Sequence, residues 1–528
     1  MPKQILMADE ARNTLKNGIK TVADAVKITL GPKGKNVVLD RKYTTPLITN
    51  DGVSIAKEIE LADPFENMGA NLIKEVSVKT NDSAGDGTTT ACVLAEAIVT
   101  NGLKNISNGA NPIIIRRGIE KAVKVCVNHL RKISRPVSSD LEIEQVASIS
   151  AGDENIGKLI AEAFKKVGKD GVITIEESKT SQTNLKTIQG LEFDRGYISP
   201  YMANQNTNYV TLENPYILLT DRKISNINEI LHLLEEIMKT SRPLLIVADD
   251  VEGEALSTLV LNMVRGSFTS VAVKTPSFGE KQKEFLEDIA LITGATYLSK
   301  ELYQDLKNVT IDDLGECSTA KIYKDKTIII GGNSNVDKIN SLKIELKNQL
   351  LGENDNYEKV KLEDRIARLS NGIAVIEVGA PSEIEMREKK LRIEDALSAT
   401  KSATKEGIVS GGGTALLSCE NDLKELINIL SGDEKIGAEI VLKSLESPLR
   451  QIAKNSGVDD GVVIEKVKNG INENIGYDAL NNKFVNMLEN GIIDPTKVTR
   501  CALENAGSVA SSILTTEVIV ADISTKNE

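Results

Sequence analysis

The stretch AGDGTTTA, residues 84–91, sets one carboxylate, Asp86, between two glycines and follows it with three threonines, directly before the apolar run CVLAEAIV. So small a stretch builds no core, yet it stands where a helical pattern begins. Two readings fit. A polar residue at a helix start satisfies free backbone N–H groups and stabilises by ~1 kcal/mol. A phosphate cradle uses every part: glycines let the backbone approach an anion, while threonine hydroxyls and helix N-terminal amides donate to its oxygens. Asp86 then holds the divalent cation that neutralises the phosphates. No GxxxxGK[ST] motif occurs, and no GxGxxG follows a strand, so a nucleotide site here belongs to another class.

Outward from this stretch the dominant period is helical. ARNTLKNGIKTVADAVKITL places Leu15, Ile19, Val22 and Val26 on one face and stops at Gly31-Pro32. RRGIEKAVKVCVNHLRKI repeats the pattern, and residues from about 407 to 524 return to it, as in AEIVLKSLESPLRQIAKNSG and ALENAGSVASSILTTEVIV. The middle differs. RPLLIVADD, FTSVAVKTPSFG and ATYLS suit buried strands, separated by the helical EGEALSTLVLNMVRG and KEFLEDIALITGA. Strands alternating with helices predict a parallel sheet. The economical arrangement is one helical domain made from both chain ends with an α/β domain inserted, Gly190 and Gly372 marking hinge-like seams.

The chain has 528 residues, room for more than one core. With 27% charged and 41% hydrophobic residues it is an ordinary folded composition. A net charge of −12 and a pI near 5.1 exclude nucleic acid as principal partner. Cys92, Cys126, Cys317, Cys419 and Cys501 form no CxxC pair, which points to a reducing compartment without disulfides or thiolate metal sites. His129 and His232 are the only histidines and read as packing or surface residues, leaving acid–base chemistry to carboxylates. The N-terminal MPKQILMADEARNTL has no signal-peptide core, and no run reaches the ~18 apolar residues of a membrane span.

Further pieces recur in the two helical segments. TLGPKGKNVVL exposes backbone N–H groups in a Gly/Pro loop, TNDGVSIAKEIE carries Asp51 on a turn, and VSGGGTALL places three glycines before a helix. RIEDALSAT carries Asp395 and IIDPTKVTR carries Asp494. An Asp beside a turn is usually a cap. A discontinuous domain, however, brings all of these together.

TLGPKGKNVVLD, NDGVSIAKEIEL, AGDGTTTA, EDALSATKSATKEGIVSGGG and DPTKVTR, in this order, resemble the large subunit of the bacterial-type (group I) chaperonins, the GroEL kind, over residues 2–522. The resemblance implies a multidomain fold: a mostly α-helical equatorial ATP-binding domain (1–133 and 407–528), a small α+β intermediate domain (134–189 and 373–406), and an α/β apical domain (190–372) inserted in the chain. It implies that Thr29, Leu30, Gly31 and Pro32 form a nucleotide loop, that Asp86, Gly87, Thr88, Thr89 and Thr90 bind phosphates and Mg²⁺, and that Gly412, Asp478, Ala479, Leu480 and Asp494 contact ribose and base. Asp395 positions the attacking water, Asp51 assists, and potassium supports slow hydrolysis. On the apical face it implies capture of unfolded polypeptides and a GroES-like co-chaperonin by Tyr197, Tyr201, Met202, Leu231, Leu234, Leu256, Val260 and Leu261. The implied assembly is two stacked seven-membered rings in a bacterial cytoplasm or plastid stroma.

Independent of the resemblance, Leu256, Leu259, Val260, Met263 and Val264 make a core-type stripe that Leu261 falls outside, so the apolar arc exceeds one buried face. Four departures stand out: Asn50 where many relatives carry Lys, Asp478 and Leu480 in place of an Asn-Ala-Ala pattern, Met202 in place of an aromatic, and a VADISTKNE end without a Gly-Gly-Met run. A scaffold that has lost catalysis is the competing reading, and the presence of Asp51, Asp86, Asp395 and Asp494 argues against it. A metabolic kinase needs a specific substrate pocket, of which the sequence gives no independent sign.

Overall fold

The computed structural model describes residues 3–40, 46–168, 171–178, 180–203, 209–301, 305–332, 336–352, 355–370, 372–470 and 474–522. The chain's tail beyond Asp522 lies outside them. Two compact units emerge: Met1–Lys165 with Glu177–Asn184 and Val378–Glu528, and Lys166–Glu176 with Leu185–Glu377.

The first unit is helical and is closed by both ends of the chain. Leu15, Ile19, Val22 and Val26 are all buried on the inner face of the helix Ala8–Lys27, as their spacing predicts. Ile19, Val22 and Val26 share a core with the helices Thr88–Ser107 and Pro112–Ile133, and with residues of the helices Gly432–Ser444 and Thr496–Leu514 some 300 residues later, while Leu15 packs with Phe65, Ile519 and Ala521. Helices approach closely where both sides lack a side chain. A Cβ on Gly118 would stand 2.1 Å from the Glu434 carbonyl oxygen, and one on Gly437 2.2 Å from that of Ile115. Only glycine permits that crossing. The last stretch departs from the helical reading. After Leu514 the alternating residues Val518–Asp522 form a strand, antiparallel to Lys3–Met7 with Lys3 opposite Asp522. Arg12 adds an ion pair to Glu517 at 2.6 Å.

The second unit is built on a sheet in the order Ser270–Lys274, Leu244–Ala248, Tyr216–Thr220, Gly315–Ile322, Thr327–Gly332, Gly190–Phe193. The first three strands are parallel, with Tyr297–Leu298 parallel to Tyr216–Thr220 as well. The remainder is antiparallel, so the sheet is mixed and not the parallel one predicted. The missed element is the hairpin of Gly315–Ile322 with Thr327–Gly332, whose turn Tyr323–Lys326 carries no Gly or Asn to announce it. Helices Gly253–Val264 and Glu280–Thr293 follow their strands as read. Gly190 is a buried strand residue. A Cβ there would lie 2.4 Å from the Ile329 carbonyl oxygen, so close packing is the reason for glycine. All five cysteines are buried and free, and no described helix is long and apolar enough to cross a membrane.

Candidate functional site

Asp86 sits on a two-glycine turn in the first unit. Gly85 (φ +71) ends the helix Pro64–Ala84 and Gly87 (φ +80) begins the helix Thr88–Ser107, both left-handed, a conformation that side chains resist. Space is equally short, since a Cβ on Gly85 would meet the Ser398 Cβ at 2.3 Å and one on Gly87 the Val498 Cγ1 at 2.6 Å. Because Gly87 has no side chain, nothing caps the new helix through its N-cap residue, which leaves its first amides for another acceptor. Asp86 does not act as that cap. Its carboxylate accepts from the Ser150 hydroxyl at 2.7 Å and from the N–H of Gly87. The simple N-cap reading of this stretch is thereby set aside.

Asp51 caps the short helix Gly52–Glu58, accepting from the N–H groups of Val53 (3.1 Å) and Ser54 (2.9 Å). Its neighbour Gly52 is pressed against the threonines, since a Cβ there would lie 2.4 Å from Thr89 Oγ1 and 2.8 Å from Thr88 Oγ1. Thr89 Oγ1 is in turn 3.4 Å from Thr29 Oγ1. Thr90 follows on the same first turn, half-buried. The loop Thr29–Pro32 turns at Gly31 (φ +85) and is pinned by Asn455, whose amide donates to the carbonyls of Lys27 and Leu30 at 2.9 Å.

Asp395 arrives on the helix Glu383–Glu406. One turn later Ser398 fills the space beside Gly85, and Ser402 donates to the Ala84 carbonyl at 2.9 Å. These two small residues dock the helix onto the Asp86 turn and so place Asp395 over it. Asp494 lies on the strand Ile493–Pro495, opposite Val409, where the N–H of Gly412 donates to its carboxylate. Gly412 (φ +62) faces Met487 and Tyr477. Leu30 packs in the cluster that includes Tyr477 and Ala479, while Lys33 donates to Asn482 at 3.1 Å. The loop Thr29–Pro32, the glycines 411–413 and the turn 478–482 are therefore neighbours. Asp478 is spent on its own turn, accepting from the N–H groups of Leu480 and Asn481. Leu480 is 62% exposed. Ser150, Ser398 and Met487 were not legible in the sequence, because each reaches the site only through a tertiary contact.

Every one of the four acids keeps some exposed surface. Crowding nonetheless raises three of them. Burial lifts Asp86, aided by the charge of Asp51 and opposed by Ser150 and the Gly87 N–H. Burial, then Asp51, Asp86 and Glu394, lifts Asp395 well above the usual range. Burial and Asp86 push Asp494 up to about 7, against the Gly412 N–H. Ionising any one of these carboxyls thus disfavours ionisation of its neighbours. A raised carboxyl binds an extra proton only when folded, so its share of stability is present at low pH and is lost as pH rises from about 4 through about 7. Asp494→Asn is expected to shrink the difference in melting temperature between pH 5 and pH 8. An unchanged difference in thermal melts would place Asp494 outside the strained cluster.

In the second unit the apolar residues divide. Tyr201 (69% exposed), Leu231 and Leu261 (48%) face outward. Tyr197, Leu256 and Val260 are partly buried against the core. Met202 and Leu234 are corrections to the predicted rim. Met202 is fully buried, its Sδ accepting from the Ala272 N–H at 3.4 Å, and Leu234 points inward with Leu233 and Ile237. The helix Gly253–Val264 also departs from its predicted stripe, burying only Ala255 and Leu259 and leaving Val264 66% exposed. Met238 and Phe278 are exposed too. His129, read as a packing residue, is buried between Asp422 (3.0 Å) and Ser418 (3.1 Å).

A model of the TCP-1/cpn60 chaperonin family matches residues 22–524. Among solved structures the chain is similar to the chaperonin gp146 from the bacteriophage EL 2 (Pseudomonas aeruginosa), determined in the presence of ATP-BeFx. The two are 22% identical, with 98% of this chain and 99% of that one covered and a TM-score of 0.68. At that identity the likeness establishes the multidomain chaperonin fold. The family match takes in all four acids and both units, and the chain belongs to the TCP-1/cpn60 chaperonin family.

Proposed function

We propose that this chain is an ATP-driven protein-folding chaperone. One observation carries the proposal: sequence segments some 300 residues apart bring Asp51, Asp86, Asp395 and Asp494 within electrostatic reach of one another beside an uncapped helix N-terminus. Such a terminus, with Thr88, Thr89 and Thr90 on its first turn, suits phosphate oxygens. Asp86 fits a divalent cation, being a hard, partly exposed carboxylate under repulsion from Asp51. Mg²⁺ keeps waters and phosphates in its shell, so one or two carboxylates suffice to hold it, and when bound it would neutralise phosphate charge. Leu30, Gly412, Ala479 and Leu480 line the place for ribose and base, and Asp494 takes the ribose hydroxyls. Asp395, with its raised proton affinity, orients the attacking water and accepts its proton, with Asp51 assisting. Potassium supports the slow turnover.

The three-domain division at residues 133/134, 189/190, 372/373 and 406/407 belongs to this reading, as do two stacked seven-membered rings, a GroES-like lid and a bacterial cytoplasmic or plastid stromal setting. Exposed Tyr201, Leu231, Leu261 and Val264 offer apolar surface that binds non-native chains without sequence preference. Calorimetric titration with ATP, with and without Mg²⁺, tests the site, and native mass measurement tests the ring. A saturable, Mg²⁺-dependent heat is expected; no heat on adding nucleotide overturns the proposal.

A further inference from the structure

Ser150 stands outside every motif considered above, yet it makes the shortest side-chain contact to the central acid. Its hydroxyl donates to Asp86 Oδ2 at 2.7 Å, while Asp86 Oδ1 takes the N–H of Gly87. Both oxygens are therefore oriented, one by the backbone of its own turn and one by a helix that is remote in sequence. We propose that Ser150 is a positioning residue for the divalent cation: it fixes the rotamer of Asp86 so that the remaining lone pairs face the cleft. The inference rests on the nucleotide-site reading.

The mounting of Ser150 supports this role. It lies in the last turn of the helix Asp140–Ala151, which ends at Gly152 (φ +64). The start of that helix is fixed by the Ser139 side chain accepting from the Glu142 N–H, and by Glu142 accepting from Ser138 and pairing with Arg135 at 3.1 Å. Ile143, Val146, Ala147 and Ala151 bury its inner face. The helix packs along Glu383–Glu406, which carries Asp395, and against Ile493–Pro495, which carries Asp494. Gln145 fills the space beside Gly491, where a Cβ would lie 2.4 Å from its Nε2. One helix thus touches the carriers of two acids and hydrogen-bonds a third. Carboxylates that bind metals are commonly held this way, and loss of such an outer partner costs about 10–100-fold in metal affinity.

The test is the Mg²⁺ requirement of ATP binding, measured by calorimetry at stepped Mg²⁺ on the full chain. Ser150→Ala is expected to raise the half-saturating Mg²⁺ by about 10–100-fold. ATP binding in EDTA, the melting temperature, and turnover at saturating Mg²⁺ should stay unchanged. Ser150→Thr, which keeps the hydroxyl, should restore the wild-type requirement. An unaltered Mg²⁺ requirement in Ser150→Ala overturns the inference. So does a loss that appears equally in EDTA or in the melting temperature, since that marks a purely structural contact. Absence of Mg²⁺-dependent binding in the wild-type protein instead overturns the nucleotide reading itself.

Discussion

Asp395→Ala is expected to lower ATP turnover by about 10²–10⁴-fold while leaving ATP binding within a few-fold of wild type. The expectation follows from where the residue sits. Asp86 and Asp51 belong to turns that also shape the proposed phosphate cradle, so changing either disturbs binding and chemistry together. Asp395 makes no contact of that kind. It is brought to the cleft on a separate helix, docked through Ser398 and Ser402, and shares with its fellow acids only their repulsion. Alanine removes that repulsion along with the base, so the variant should bind nucleotide at least as firmly. A pre-steady-state measurement separating binding from hydrolysis checks both halves. Undiminished turnover removes Asp395 from the chemistry. Weakened binding with normal turnover per bound nucleotide makes it a cradle residue instead.

The second large effect belongs to the other unit. Leu261→Ser combined with Val264→Ser should weaken capture of an unfolded polypeptide by roughly 100-fold or more. Burying a leucine or valine against a client contributes about 1.5–3 kcal/mol each, and several subunits engaging one chain multiply the loss. Because both side chains are already exposed, their replacement removes little from the fold of the unit itself. ATP turnover is expected to stay normal. Equilibrium binding of a fluorescent, chemically unfolded protein measures the change. Retention of full capture would move the client surface elsewhere, toward Tyr201, Met238 or Phe278.

Legibility differed sharply between these two regions. The helix Ala8–Lys27 was plain because its four apolar residues repeat at helical spacing and are all buried. The parallel strands Tyr216–Thr220 and Leu244–Ala248 sit buried throughout, and Leu244–Ala248 showed this as an uninterrupted apolar run. Asp86 stood out because two glycines in sequence mark a conformation that other residues resist. Exposure was harder. Met202 and Val264 are both apolar, and nothing local distinguishes the one that slips under the strand Ser270–Lys274 from the one left on the surface. Burial of that kind is settled by what lies across the gap. Ser150 was hidden for the same reason: an isolated serine in a helix carries no pattern, and its partner is 64 residues away.

The strand pair joining Lys3–Met7 to Val518–Asp522 has a consequence for biosynthesis. At ~5–20 residues per second on the ribosome, the opening segment waits roughly half a minute or longer for its mate to emerge. Through that interval Ile19 and Val22 lack the late helices that cover them, and Leu15 lacks the strand residues Ile519 and Ala521. A nascent chain of this design spends its own infancy as the sort of sticky, incomplete molecule that the finished protein is proposed to shelter.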